Sequence, residues 1–393
     1  MKFSRSQIAT YLALTLLLLA DGLLSLPATA QTYTVLYTFT GKPDGKRPSS
    51  GLLRASPRPF SADTYGTTLQ GGTNDKGSIF KLSATGQETV LYSFTGGADG
   101  GFPQVNGVLL RDSAGILYGT TNGGGTSNCG VVFKLAPDGT ETVLHTFTGM
   151  LDGCNPQSGL IRDAAGNFYG TARTSSSDGV VFRITTAGVF TTLYSFTGGA
   201  DGGQPYGDLV FDPAGNLYGA TSLGGASNKG VIFKLTPAGQ ESVLYSFTGG
   251  ADGGTPVGLS RDASSGNLYG MAQAGGLGNG VVFQLSPNGA LTVLHSFTGT
   301  DGQFPTASPT RDPAGNLYGT TIFGGANGFG VVFKLSSDST YTILHSFTGG
   351  ADGGRPYGGD LIWTPSATLS ATLYGSASSG GSSNGVLFSL TTQ

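Results

Sequence analysis

Between residues 206 and 250 the apolar positions fall into four short runs, at about 208–211, 216–221, 230–235 and 242–247. Each run is rich in β-branched and aromatic residues, and none keeps a helical period. The segments between them, such as "DPAGN" and "TPAGQ", carry the chemistry of tight turns, with Pro presetting φ and Gly taking the left-handed position. The pattern predicts four antiparallel strands joined by hairpins. It then recurs: a tyrosine before glycine (Tyr65, Tyr118, Tyr169, Tyr218, Tyr269, Tyr318, Tyr374) returns every 49 to 56 residues. Two phenylalanines travel with it. One is in "GVVFKL" (Phe80, Phe133, Phe182, Phe233, Phe283, Phe333, Phe388) and the other in "VLYSF" (Phe39, Phe94, Phe147, Phe196, Phe247, Phe297, Phe347). Four strands per unit of about 50 residues is the period of a propeller blade, about twice that of a β-solenoid coil. The predicted fold is all-β, a seven-bladed β-propeller of four-stranded antiparallel blades. Residues 32–39 read as a fourth strand and 385–390 as a third, so the N-terminal strand is expected to complete the last blade and leave no open edge.

Composition agrees with that picture. The chain holds 69 Gly and 18 Pro, yet 38% of its residues are hydrophobic, including 23 Phe and 16 Tyr, enough to build a core. A net charge of −3 offers no basic stripe, which excludes nucleic acid as a partner. Residues 1–30 run from Lys2 and Arg5 through an apolar stretch to small residues at Ala28 and Ala30, the order of a secretory signal peptide. Asp21 interrupts the apolar run before it reaches the length of a membrane span. The propeller is therefore assigned to 31–393 and expected outside the cytoplasm, extracellular or periplasmic, as a monomer with no membrane contact. Export makes a disulfide between Cys129 and Cys154, the two cysteines of the chain, an expectation.

The composite motif "GNLYGTT…GG…GVVFKL.P.G…TVLYSFTGGADGG.P" resembles the Gloeobacter–Verrucomicrobia (GloVer) tandem repeat of exported, choice-of-anchor bacterial proteins, over nearly all of the mature chain. The resemblance implies export and implies no reaction. Members often carry a C-terminal sorting segment, which is not recognisable here. More loosely, the repeat is similar to kelch and NHL blades.

The crossing from each blade to the next carries an acid-bearing glycine loop, at Asp44, Asp99, Asp152, Asp201, Asp252, Asp301 and Asp352. These loops share a face with the variable second-to-third loops, the expected binding surface, since recognition concentrates on loops held by a rigid frame. Seven carboxylates around one mouth would repel, so each must be relieved. One form of relief is hydrogen bonds from neighbouring backbone N–H groups within the turn. The other is a cation, with calcium the fit for oxygen ligands, although no dense Asp-rich calcium loop is present; otherwise no cofactor is expected. The aromatics near the crossings, Phe102, Phe304, Tyr206 and Tyr357, suit stacking on a sugar or gripping a peptide; the packing alternative is that they roof the blade junctions.

Catalytic motifs are absent: there is no H-E-x-x-H or P-loop, and the G-x-S-x-G match at 381–385 is no nucleophile elbow, since no helical segment follows it. His145, His295 and His345 take a position held elsewhere by tyrosine, as Tyr92 and Tyr245, and read as aromatic substitutes on the outer strand. Glu88, Glu141 and Glu241 are placed in hairpins on the face opposite the acid loops. Chemistry happens at one place rather than seven, so residues that break the repeat matter most: Arg173, Asp178, Asp208, Asp360 and Trp363. The function expected from sequence is a non-catalytic module binding an extracellular glycan or protein through its loop-rich face. The alternative is a polysaccharide hydrolase or lyase using acid-loop carboxylates. A perturbed carboxylate beside a cleft at one blade only would favour the enzyme.

Overall fold

The computed structural model describes residues 31–55, 63–103, 107–174, 178–365, 371–381 and 383–392. The proposed signal peptide lies outside these residues. Among them are seven antiparallel sheets, one per blade, arranged as a seven-bladed propeller. The blade read from sequence is built of Val210–Phe211, Leu217–Leu223, Val231–Leu235 and Glu241–Ser246. Its inner strand has a further piece, Gly203–Pro205, that pairs with the same neighbour. Gln204, between these, has φ of 54°, and every residue before a crossing proline shares this left-handed conformation, including Phe102 and Phe304. The inner strand therefore begins with a sharp kink. In blades 5 and 6 it runs continuously, as Gly254–Arg261 and Gln303–Arg311.

Closure follows the expected scheme. Thr32–Thr38 pairs antiparallel with Val386–Thr392, matching Thr32 with Thr391 and Thr38 with Val386. Each blade also skips one residue between its third and fourth strands, as where Ile232 faces Tyr245 but Phe233 faces Val243. Such bulges increase twist, which turns the outer strand well away from the direction of the inner one.

The repeated aromatics form the joints between blades. The "VLYSF" phenylalanine of one blade meets the "GVVFKL" phenylalanine of the next edge to face, as in Phe196–Phe233 at 5.1 Å and Phe247–Phe283 at 5.2 Å. Phe39–Phe80 at 5.2 Å makes the same joint where the ring closes. The glycine after each landmark tyrosine exists to admit this ring: a Cβ on Gly219 would lie 2.5 Å from Phe233 Cζ and 2.7 Å from Leu209 Cδ2. Fully burying each phenylalanine contributes about 2 kcal/mol, so the joints supply much of the ring's cohesion. Cys129 and Cys154 are joined as a disulfide.

Candidate active site

The acid loops are closed on themselves. Asp201 accepts the Thr197 N–H at 2.9 Å, the Thr197 hydroxyl at 2.5 Å and the Tyr194 hydroxyl at 3.0 Å. Asp99 and Asp252 repeat this with Tyr92 and Tyr245, and Asp44 takes Tyr37 and the Thr40 N–H. At Asp152, Asp301 and Asp352 the tyrosine is replaced by His145, His295 and His345, whose Nε2 lies 3.0–3.2 Å from the carboxylate. Burial holds all three imidazoles below the ordinary histidine pKa, against the pull of the aspartates. The Tyr and His partners belong to the outermost strands, so the seven carboxylates stand at the perimeter rather than around the channel mouth. No group of three or more His, Cys, Asp or Glu gathers in a metal-holding arrangement among the described residues.

The glutamates depart from expectation in their surroundings alone. Glu88, Glu141 and Glu241 sit in the third-to-fourth hairpins as read, opposite Leu82, Leu135 and Leu235, yet they also feel the charge of Asp44, Asp99 and Asp201 from the preceding acid loops. Enclosure, and then that charge, pushes each up to about 7. One carboxyl oxygen of each is buried without a partner. Where histidine replaces tyrosine, an aromatic replaces the glutamate: His145 stacks on Phe190 at 3.9 Å, His295 on Tyr341 at 3.9 Å and His345 on Tyr33 at 3.8 Å.

The channel wall behaves differently. One position on each inner strand, just before the core residue typified by Leu209, faces the axis: Gly51, Val108, Gly159, Asp208, Gly258, Ser308 and Asp360. Only blades 4 and 7 place an acid there, and in a ring of seven these blades lie nearly opposite. Asp208 Oδ1 accepts the Gly159 N–H at 2.6 Å, and Asp360 Oδ1 accepts the Ser308 N–H at 2.7 Å, in each case from the preceding blade. Both side chains keep partial exposure at the channel wall. Asp208 is raised well above the usual carboxyl range by enclosure and then by the charge of Asp360. Enclosure raises Asp360 to about 6, against the lowering effect of the Ser308 N–H.

A cavity of about 500 Å³ adjoins Asp360 and is lined by residues of six blades, among them Val210, Ser260, Ser308, Thr310 and Trp363. It extends to Arg261 and Arg311, beside the turns begun by Asp262 and Asp312, and so leads toward the turn face rather than the loop-rich face. At the other end of the aspartate pair, Arg173 lies 5.5 Å from the Tyr206 ring and within electrostatic reach of Tyr357. Phe102 and Phe304 are elsewhere: Phe102 lies beneath Lys76 and Phe304 packs edge-on against Phe323. Asp178 offers its backbone carbonyl to the Gln204 N–H. Of the residues singled out in sequence, the fold thus brings Tyr206, Tyr357, Arg173, Asp208, Asp360 and Trp363 to one axis, while the acid loops fold back on the outer strands and Phe102 and Phe304 pack against Lys76 and Phe323. Pairing of Asp208 with Asp360 is the feature that sequence reasoning missed, although aligning the seven inner strands would have put both acids in one column.

The Gloeobacter/Verrucomicrobia repeat model matches residues 22–177 and 163–389. A search of curated proteins found no match. Among solved structures, a gluconolactonase from Xanthomonas campestris is similar at 16% identity and TM-score 0.45, covering 74% of this chain and 86% of its own. Regucalcin from Agrobacterium tumefaciens, described as a calcium-binding protein, is similar at 17% identity and TM-score 0.43, covering 73% and 84%. TolB from Acinetobacter baumannii gives 13% identity and TM-score 0.39, covering 84% and 80%. The expectation of a non-catalytic module that binds a glycan or protein through its loop-rich face is corrected here. In this chain the acid loops are satisfied internally, whereas Asp208 and Asp360, on blades 4 and 7, are raised carboxyls on the axis, apart from the raised glutamates of the perimeter.

Proposed function

The chain belongs to the Gloeobacter/Verrucomicrobia repeat family, and from that premise we propose that this member is an exported hydrolase working by general acid–base chemistry at Asp208 and Asp360. The observation that carries the reading is the pairing of two enclosed carboxyls that resist ionising together. Such a pair holds a proton on one member while the other is a carboxylate, which are the two protonation states hydrolysis needs at once. The protonated carboxyl donates to the leaving oxygen as its bond breaks. The carboxylate takes a proton from the attacking water, and exchange with solvent restores the starting state.

The cavity limits what can be cleaved. At about 500 Å³ it falls among pockets that hold small ligands. Ser260, Ser308 and Thr310 offer hydroxyls, Arg261 and Arg311 offer charge, and Trp363 offers an aromatic surface. This set suits a compact polyhydroxylated ester or glycoside better than an extended polymer. The Cys129–Cys154 disulfide supports an oxidising compartment, extracellular or periplasmic.

The test is turnover on a panel of sugar lactones, acyl sugars and aryl glycosides, comparing the wild type with D360N and with D201N from an acid loop. The proposal expects D360N to lose activity and D201N to retain it. Equal activity in D360N and the wild type would overturn it.

A further inference from the structure

A second position on the channel breaks the repeat as sharply as the aspartates do. Four residues after each landmark tyrosine stand Leu69, Asn122, Arg173, Ser222, Gln273, Ile322 and Ser378, of which Arg173 alone is charged. Its backbone is anchored by the disulfide-bonded Cys154, whose N–H donates to the Arg173 carbonyl at 2.5 Å. The half-buried guanidinium gives Nε–H to Gln204 Oε1 at 3.0 Å and Nη1–H to Gln157 Oε1 at 3.3 Å. Gln204 is held in that orientation by its own Nε2–H, which donates to the Thr174 carbonyl at 2.7 Å. Gln204 and Gln157 are neutral. No ion pair is formed by Arg173 among the described residues.

A guanidinium withdrawn from water without a counter-charge is unfavourable unless something arrives to compensate. The two glutamine amides fix its plane yet leave the Nη2 edge without a partner among the described residues, and that edge presents the paired N–H geometry which matches a carboxylate. No second Lys or Arg acts on it electrostatically. A doubly charged phosphate would ask for one, whereas a monoanion is matched by a single guanidinium. Tyr206 precedes Asp208 by two residues and Tyr357 precedes Asp360 by three, so whatever Arg173 grips lies beside the aspartate pair along the same wall.

We propose that Arg173, fixed by Gln157 and Gln204 at the loop-face end of the channel, is a recognition residue for the carboxylate of an acidic sugar of the uronate class. As a statement about the substrate this rests on the hydrolase reading; as a statement about binding it stands separately.

The experiment is calorimetric titration of the mature protein with D-glucuronate, D-glucose and inorganic phosphate. The wild type is expected to prefer glucuronate over glucose by tenfold or more, and over phosphate as well. R173Q should abolish that preference. Q157E should abolish it too, because the new carboxylate neutralises the guanidinium from within, through the Nη1 contact that Gln157 already makes, and its melting temperature should stay at or above that of the wild type, which separates lost recognition from lost folding. D360N should keep the preference. Equal binding of glucuronate and glucose by the wild type, a preference surviving R173Q, or tighter binding of phosphate would each overturn the proposal. Preserved glucuronate preference together with undiminished turnover in D360N would instead remove the hydrolase reading and leave the anion site standing.

Discussion

The perimeter and the axis of this propeller both carry aspartates, and they use them in opposite ways. At the perimeter seven acids repeat, and each is consumed by a threonine and a tyrosine or histidine a few residues before it. On the axis seven equivalent positions hold two acids, each with one backbone N–H, and these two oppose each other's ionisation. Repetition in a ring selects for local self-sufficiency, because a motif used seven times must be satisfied in seven places without help from the rest. A residue that appears once or twice is free of that constraint, and its unpaired capacity can serve chemistry.

That contrast can be broken or sharpened by substitution. The largest effect is expected for Asp360→Asn and Asp208→Asn, which keep an acceptor for the Ser308 and Gly159 N–H groups but remove acid–base capacity. Loss of turnover by about 10²–10⁴-fold, with an unchanged melting temperature, is the expected result. Next is the disulfide staple: Cys129→Ser opens a closed segment with a sequence separation of 25 and should destabilise the protein by about 3 kcal/mol in denaturant unfolding. Asp201→Ala strands the Thr197 and Tyr194 donors and should cost about 1–2 kcal/mol without lowering turnover.

The smallest effect is a pH dependence. Glu88, Glu141 and Glu241 bind protons more tightly folded, at about 7, than an ordinary glutamate at 4.5. Between those values the native state holds more protons, so their contribution to stability weakens as pH rises from about 4.5 through 7. The three histidines, lowered on folding, act with the opposite sign, since their contribution is lost as pH falls below 6.5. Replacing all three glutamates by glutamine should therefore stabilise the protein at pH 8, by about 1 kcal/mol per site after solvent screening, and leave the histidine slope exposed in pH-dependent melting curves.

Much of the architecture was legible because it is local and repeated. The tyrosine–glycine and phenylalanine landmarks gave the blade count, and the fourth-strand character of residues 32–39 gave the closure later seen in the pairing of Thr32 with Thr391. The disulfide was legible from two cysteines in a chain whose N-terminus reads as an export signal. What failed depended on radius and twist. Sequence placed the acid loops on the correct crossings but not at the perimeter, because the fold-back of each aspartate onto its outer strand is a three-dimensional bond. The hairpin placement of the glutamates was legible, but their approach to the preceding blade's acid loop was not, because the bulge in every blade turns its outer strand. Asp208, Asp360 and Arg173 stood out as exceptions, yet nothing local says that residues 208 and 360 meet across a channel. Repeats reveal a frame, while a site is built from departures whose partners the frame alone decides.

The central claim is that Asp208 and Asp360 hold one proton between them near neutral pH. Carboxyl-carbon NMR titration of selectively labelled protein tests it directly, with D208N and D360N giving the assignments. One carboxyl titrating at about 6 or above, absent from the corresponding variant, is the predicted result. Two carboxyls that both ionise near the ordinary aspartate value of about 4 would contradict it.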